Sequence, residues 1–174
     1  MNPTISTLIT TLPSSTSDGA RKCSPLSQGK NFFGHWRNRL YSKRVQPEVK
    51  RLYILLRAPN SFLATKRLHN EVIRKDLFRV LRDKWGADFG CFISEKLIAV
   101  AGDISVEKLG IKEEILKQEM SEEIDIVVHT AATTNFNERF DISMRTNTMG
   151  AFHVMNFTKS CQKIQILLHL STGR

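Results

Sequence analysis

"RLYILLRAPN", residues 51 to 60, is a short apolar run rich in β-formers that stops at the break Ala-Pro-Asn, the pattern of a buried strand leaving a sheet through a turn. The period then changes. Leu68, Val72, Leu77, Leu81 and Trp85 recur at roughly helical spacing with charged residues between them, so one amphipathic helix is expected from Phe62 to Trp85. A strand followed by a helix is the first half of a βαβ crossover.

Downstream the alternation continues. "KLIAVAGDIS" (96 to 105) reads as a strand running into a loop, "IKEEILKQEMSEE" (111 to 123) as a short helix and "IDIVVHTAA" (124 to 132) as a strand. A helix is expected over Met144 to Cys161, and "IQILLHLST" (164 to 172) closes the series as a strand. Such a series predicts an α/β fold with a parallel, doubly wound sheet, in which ligands bind beyond the carboxyl ends of the strands.

Composition bounds the rest. The 174 residues, 41% of them apolar, suit one domain with a core of its own. Apolar runs such as "IQILLHL" have the length of buried strands and fall far short of the about 20 residues of a membrane span. Cys23, Cys91 and Cys161 lack metal-ligand spacing, and their odd number fits a reducing compartment, so neither a metal site nor a disulfide is expected. The net charge of +9 is unevenly placed. Residues 1–47 hold seven Lys or Arg against the single acid Asp18, while residues 48–174 hold nineteen against sixteen acids. The body therefore has no basic face for nucleic acid.

Upstream of Arg51 the chain changes character. Residues 1–30 are rich in Ser and Thr, almost free of acid and basic toward their end, which matches an organelle transit peptide as well as a disordered leader. Residues 1–47 are accordingly set apart as a leader and aberrant segment, with 48–174 as the folded part. A plastid or other organelle address is one expectation; cytoplasm or an association with the endoplasmic reticulum is the other.

The strand ends supply the candidate site. Arg57 follows the first strand and could meet a phosphate with its guanidinium fork, although a solvated surface arginine is the ordinary alternative. Gly102, Asp103 and Ile104 follow the next strand, where a small residue and a carboxylate could lie beside an adenine, or simply make a turn. Ala131 and Ala132 would let a cofactor approach the backbone, or merely pack a strand end tightly. Ser171 and Thr172 end the last strand with hydroxyls able to hydrogen-bond a carbonyl.

In this order "RVQPEVKRLYILLRA", "RLHNEVIRKDLFRVLR", "AGDIS", "AATTNFNERFD", "NTMGA" and "LLHLST" resemble the plant alcohol-forming fatty acyl-CoA reductases, extended short-chain dehydrogenase/reductases with a male-sterility-type NAD(P)-binding domain. The resemblance runs from Arg44 to Thr172. It implies an oxidoreductase of lipid metabolism whose family reduces long-chain acyl-CoA to a primary fatty alcohol with NADPH. It also implies Arg57 for the 2′-phosphate, Gly102, Asp103 and Ile104 near the adenine, Ala131 and Ala132 along the cofactor, and Asn147 in support of the active site. Ser171 and Thr172 match the family's Ser-Thr beside the reacting carbonyl.

Two parts of the family pattern are missing. The family opens with a strand and a T-G-x-x-G-x-x-A loop that seats the pyrophosphate, and its Tyr-x-x-x-Lys pair follows the last strand. Here "NFFGHWRNRLYSK" (31 to 43) stands in place of the loop, and the chain stops at Arg174 without the pair. Codons allowed for "NFFGHWRNRLYSK", read one nucleotide later, encode TFLVTGATGFIA, which is the missing strand and loop. The sequence therefore reads as the N-terminal part of such a reductase, frameshifted and truncated, with an incomplete Rossmann-like sheet lacking its usual first strand. A catalytically inactive fragment or mis-predicted gene product is the alternative. The lost strand would lie at the centre of a 3-2-1-4-5 sheet. "TISTLITTL" (4 to 12) and "NFFGHW" are the candidates to fill the gap, and neither is expected to have a proper connection.

Overall fold

The computed structural model describes residues 5–11, 49–135 and 137–170. Five strands, β1 (Ile5–Thr11), β2 (Arg51–Arg57), β3 (Leu97–Gly102), β4 (Ile126–His129) and β5 (Ile166–His169), form one sheet in the order β3-β2-β1-β4-β5. β2 pairs in parallel with β3, and β4 with β5. Those are the four strands expected from the apolar runs.

The centre lacks the usual parallel first strand, and one of the two candidate stretches fills the gap. β1 occupies it, supplied by the 4-to-12 stretch, and runs antiparallel to both neighbours, with Leu8 opposite Ile54 on one side and Val128 on the other. Thr11 faces Arg51, so β1 ends at the edge where β2 begins. A strand in this direction needs only a return along one edge. A parallel strand needs a crossover from one edge to the other, which is the connection the sequence lacks. "NFFGHW" lies outside the described residues.

The alternation of β2 explains the two layers of helix. Leu52, Ile54 and Leu56 project to one face and Tyr53 and Leu55 to the other, all at most 1% exposed. The first face is covered by α1 (Ser61–Arg67) with its wide π-type continuation Leu68–Ile73, by α2 (Arg79–Trp85) and by α3 (Phe89–Lys96), which bring Leu68, Val72, Phe78, Phe92 and Ile93 into one cluster. The second face receives α4 (Glu114–Glu123) and α6 (Gly150–Ser160) through Met120, Val154 and Phe157. Between β4 and α6 stand the short α5 (Phe140–Ser143) and a second π-type turn, Met144–Met149.

The helix expected over 62 to 85 is interrupted. Lys75 adopts an extended conformation and Asp76–Phe78 forms a single 3-10 turn, which buries Phe78 completely. Arg82 donates from its guanidinium to the carbonyls of Ile73 at 2.6 Å and Lys75 at 3.2 Å, satisfying acceptors that a continuous helix would have used itself. The helix α3 after Gly86 was not foreseen from the sequence. Among the described residues no helix is long and apolar enough to cross a membrane.

Candidate functional site

The carboxyl ends of β2 and β3 open onto a shallow depression of about 320 Å³ whose lining includes Arg57, Gly102, Asp103, Gly110 and Lys112. Arg57 and Gly102 are partners in the parallel register, so the strands themselves set the two side by side. The Arg57 guanidinium is tied to Asp103, Nε to Oδ2 at 2.7 Å and Nη2 to Oδ1 at 3.3 Å. Asp103 Oδ1 also accepts from the Ser105 amide and hydroxyl at 2.9 and 2.8 Å. Burial opposes ionisation of Asp103, but the Ser105 hydrogen bonds and the Arg57 charge outweigh it and hold the carboxyl below its ordinary range.

Gly102 is required by contact. A Cβ there would stand 2.5 Å from the Leu109 carbonyl oxygen and 2.7 Å from Leu55 Cδ1. The loop that presses on it is a left-handed turn in which Lys108, Leu109 and Gly110 have φ of 55°, 61° and 59°. Left-handed backbone costs about 1–2 kcal/mol at a non-glycine residue. Here it is offset by the completely buried Leu109 side chain and by the Asp103 amide donating to the Leu109 carbonyl at 2.8 Å.

Ile104 is placed differently from Asp103. Its side chain is buried in the second core cluster and fills the space that a Cβ on Gly150 would need, 2.8 Å from Ile104 Cδ1. Its carbonyl lies 2.8 Å from His153 Nδ1. Ile104 thus fastens the β3 loop to α6 and does not line the depression.

Across β1, at the end of β4, Ala131 is buried and Ala132 exposed. Asn147 sits in the π-type turn before α6 and clamps the next residue, its Oδ1 accepting from the Thr133 amide at 2.8 Å and its Nδ2 donating to the Thr133 carbonyl at 3.2 Å. A side-chain amide paired with both backbone groups of one residue holds that loop as a strand ladder would. The wide turn aims Asn147 at it, a use of π-type geometry common at functional sites. Ser171 and Thr172 lie outside the described residues. Ser105, Lys112 and Thr133 were not singled out from the sequence, where only the glycine of "KLG" signals a turn.

A family model of an NAD-binding domain, described as Male sterility protein, matches residues 42–174. Fatty acyl-CoA reductase 8 of Arabidopsis thaliana is 53% identical over 131 residues, covering 75% of this chain and 26% of that protein. The alcohol-forming fatty acyl-CoA reductase of Simmondsia chinensis is 52% identical over 130 residues, with 75% and 26% covered. The chain thus spans about a quarter of the length of these relatives. Among solved structures, the reductase domain of a nonribosomal peptide synthetase from Mycobacterium tuberculosis superposes with a TM-score of 0.55 at 23% identity, covering 78% of this chain and 29% of that one. The PhqB reductase domain of Penicillium fellutanum gives 0.53 at 20% identity, with 78% and 33% covered. These structures share the Rossmann-like fold. β1 lies outside the family match.

Proposed function

The chain belongs to the Male sterility protein family of NAD-binding domains, and from this premise we propose that it forms the cofactor-binding portion of a fatty acyl-CoA reductase that converts long-chain acyl-CoA to a primary alcohol with NADPH. The observation that carries this reading is the identity shared with plant fatty acyl-CoA reductases over three quarters of the chain. It favours a reductase over the inactive-fragment alternative.

The residues at the carboxyl edge fit the adenosine end of the cofactor. Arg57 presents a guanidinium at the mouth of the depression, Gly102 leaves its floor flat, and Asp103 offers an ionised acceptor of the kind an adenine amino group needs. On the far side, Ala131 and Ala132 leave room for backbone approach, and Asn147 fixes the Thr133 loop. The centre fits less well. Because β1 is antiparallel, its carboxyl end lies at the opposite edge, and among the described residues no strand-to-helix turn stands where a pyrophosphate would be held. NADPH supplies a hydride when bound. Ser171 and Thr172, which follow β5 in the sequence, are assigned the hydrogen bond to the reacting carbonyl. The Ser- and Thr-rich first residues suggest an organelle address.

The test incubates the purified chain with NADPH and a long-chain acyl-CoA, follows cofactor fluorescence and extracts aldehyde and alcohol. Saturable NADPH binding without fatty alcohol is the expected result for a cofactor-binding portion. Alcohol formation would extend the reading to catalysis by this chain, and absence of NADPH binding would refute it.

A further inference from the structure

Three charged side chains line the depression at the ends of β2 and β3, and two of them cancel. Arg57 and Asp103 form the ion pair already described. The third is Lys112, exposed and without an ion pair among the described residues. Its acidic neighbour Glu113 lines only the adjoining smaller depression, which Lys112 also borders, and there accepts a hydrogen bond from the Ser61 hydroxyl. The uncompensated positive charge of the larger depression is therefore carried by Lys112.

The fold sets where the backbone of this lysine emerges. The left-handed turn at Lys108–Gly110 reverses the chain after β3, with Leu109 buried on one side of the reversal and Ile111 on the other. With Ile111 locked in the second core cluster, Lys112 emerges beyond the end of β3 and lines the same depression as Gly110 and Arg57. A planar fork and a second, point charge lining one depression suit a dianionic phosphate, which exceeds what the neutralised Arg57–Asp103 pair can balance.

We propose that Lys112 is a specificity-determining residue, the second cation that binds the ribose phosphate of an adenine nucleotide and makes the site prefer NADPH to NADH. The proposal rests on the reading of this edge as the adenosine end of the cofactor site. A ribose-phosphorylated adenosine also occurs in coenzyme A, where the phosphate is on the 3′ rather than the 2′ oxygen. The shared chemistry is therefore an adenosine bearing a ribose phosphate, and the 2′ isomer is the one assigned.

The test titrates the full chain with adenosine 2′,5′-bisphosphate, adenosine 3′,5′-bisphosphate, adenosine 5′-monophosphate, NADPH and NADH by calorimetry. The Lys112→Ala, Lys112→Arg and Arg57→Ala chains are titrated alongside, with unfolding midpoints as the check on folding. Lys112→Ala is expected to weaken NADPH and the 2′,5′-bisphosphate about 10-fold, the scale of one charge-assisted hydrogen bond. NADH and the monophosphate should be unaffected, and Lys112→Arg should restore most of the loss. A Lys112→Ala chain that binds every ligand as the parent does overturns the role of Lys112 while the reductase reading stands. Preference of the parent for the 3′,5′ isomer overturns the assignment to NADPH. If the parent binds neither NADPH nor either bisphosphate, the proposal and the cofactor reading beneath it fall together.

Discussion

Two residues make the site's dependence on close packing measurable. Gly102→Ala places a methyl group against a backbone oxygen that the left-handed turn holds rigidly, so the turn must lift. A loss of about 1–3 kcal/mol in urea unfolding is expected, together with weaker nucleotide binding. Parent-like stability would mean that the turn is soft. His129, at the carboxyl end of β4, is 2% exposed with its ring centroid 4.8 Å from that of His169. Burial first, and the neighbouring His169 second, push its imidazole down from 6.5 to about 4. The unfolded chain therefore binds a proton that the folded chain refuses between those values. Stability is complete above about pH 6.5 and falls as the pH drops toward 4, by on the order of 1–3 kcal/mol. Urea midpoints taken across that range measure the slope, which His129→Gln should flatten; an unchanged slope would assign it to other groups.

At the level of elements, the apolar runs of β2 to β5 were legible because parallel strands buried on both faces leave near-continuous hydrophobic sequence. The juxtaposition of Arg57, Gly102 and Asp103 was legible too, since each closes or follows a neighbouring parallel strand and strand ends in a doubly wound sheet lie together. What could not be read was conformation set by tertiary contact: the break at Lys75, where burying Phe78 outweighs helical continuity, and the inward course of Ile104. The direction of β1 was equally hidden, because alternation and β-branching are the same for a strand run either way. β1 is also the element on which the sheet depends, since it joins the β2–β3 pair to the β4–β5 pair. Ile9 lies within both ladders, opposite Tyr53 and Val127. Ile9→Pro removes an amide donor from a central strand, where proline is not tolerated. Loss of cooperative thermal unfolding by circular dichroism is expected; a sharp, parent-like transition would show that the two halves hold together without β1.

For the whole molecule, the last strand is the exposed margin. Ile166, Leu167, Leu168 and Leu170 are 53, 39, 42 and 43% exposed, and Phe140 and Phe152 on the preceding helices are 79 and 49% exposed. An apolar edge strand with unpaired backbone groups is a template for association. Sedimentation should show concentration-dependent self-association that Leu168→Lys reduces; a monomer at all concentrations would contradict this. The amino-terminal segment bears on the whole molecule in another way. Removal of residues 1–47 as a leader would also remove β1, so an address and a central strand compete for the same residues.

The antiparallel setting of β1 also has an entropic side. Thr11 and Arg51 face each other across the ladder, so residues 12–48 start and finish at one place, and nothing about the sheet requires their length. Each doubling of a closed loop adds about 0.6 kcal/mol of closure cost. Replacing those residues by Asn-Gly, which favours a tight reversal between strands, while keeping Val49 and Lys50, shortens the loop by about three doublings. The shortened chain should gain about 2 kcal/mol in urea unfolding and fold faster, because its central pairing becomes local in sequence. Lower stability would mean that residues 12–48 contribute contacts worth more than the entropy they cost.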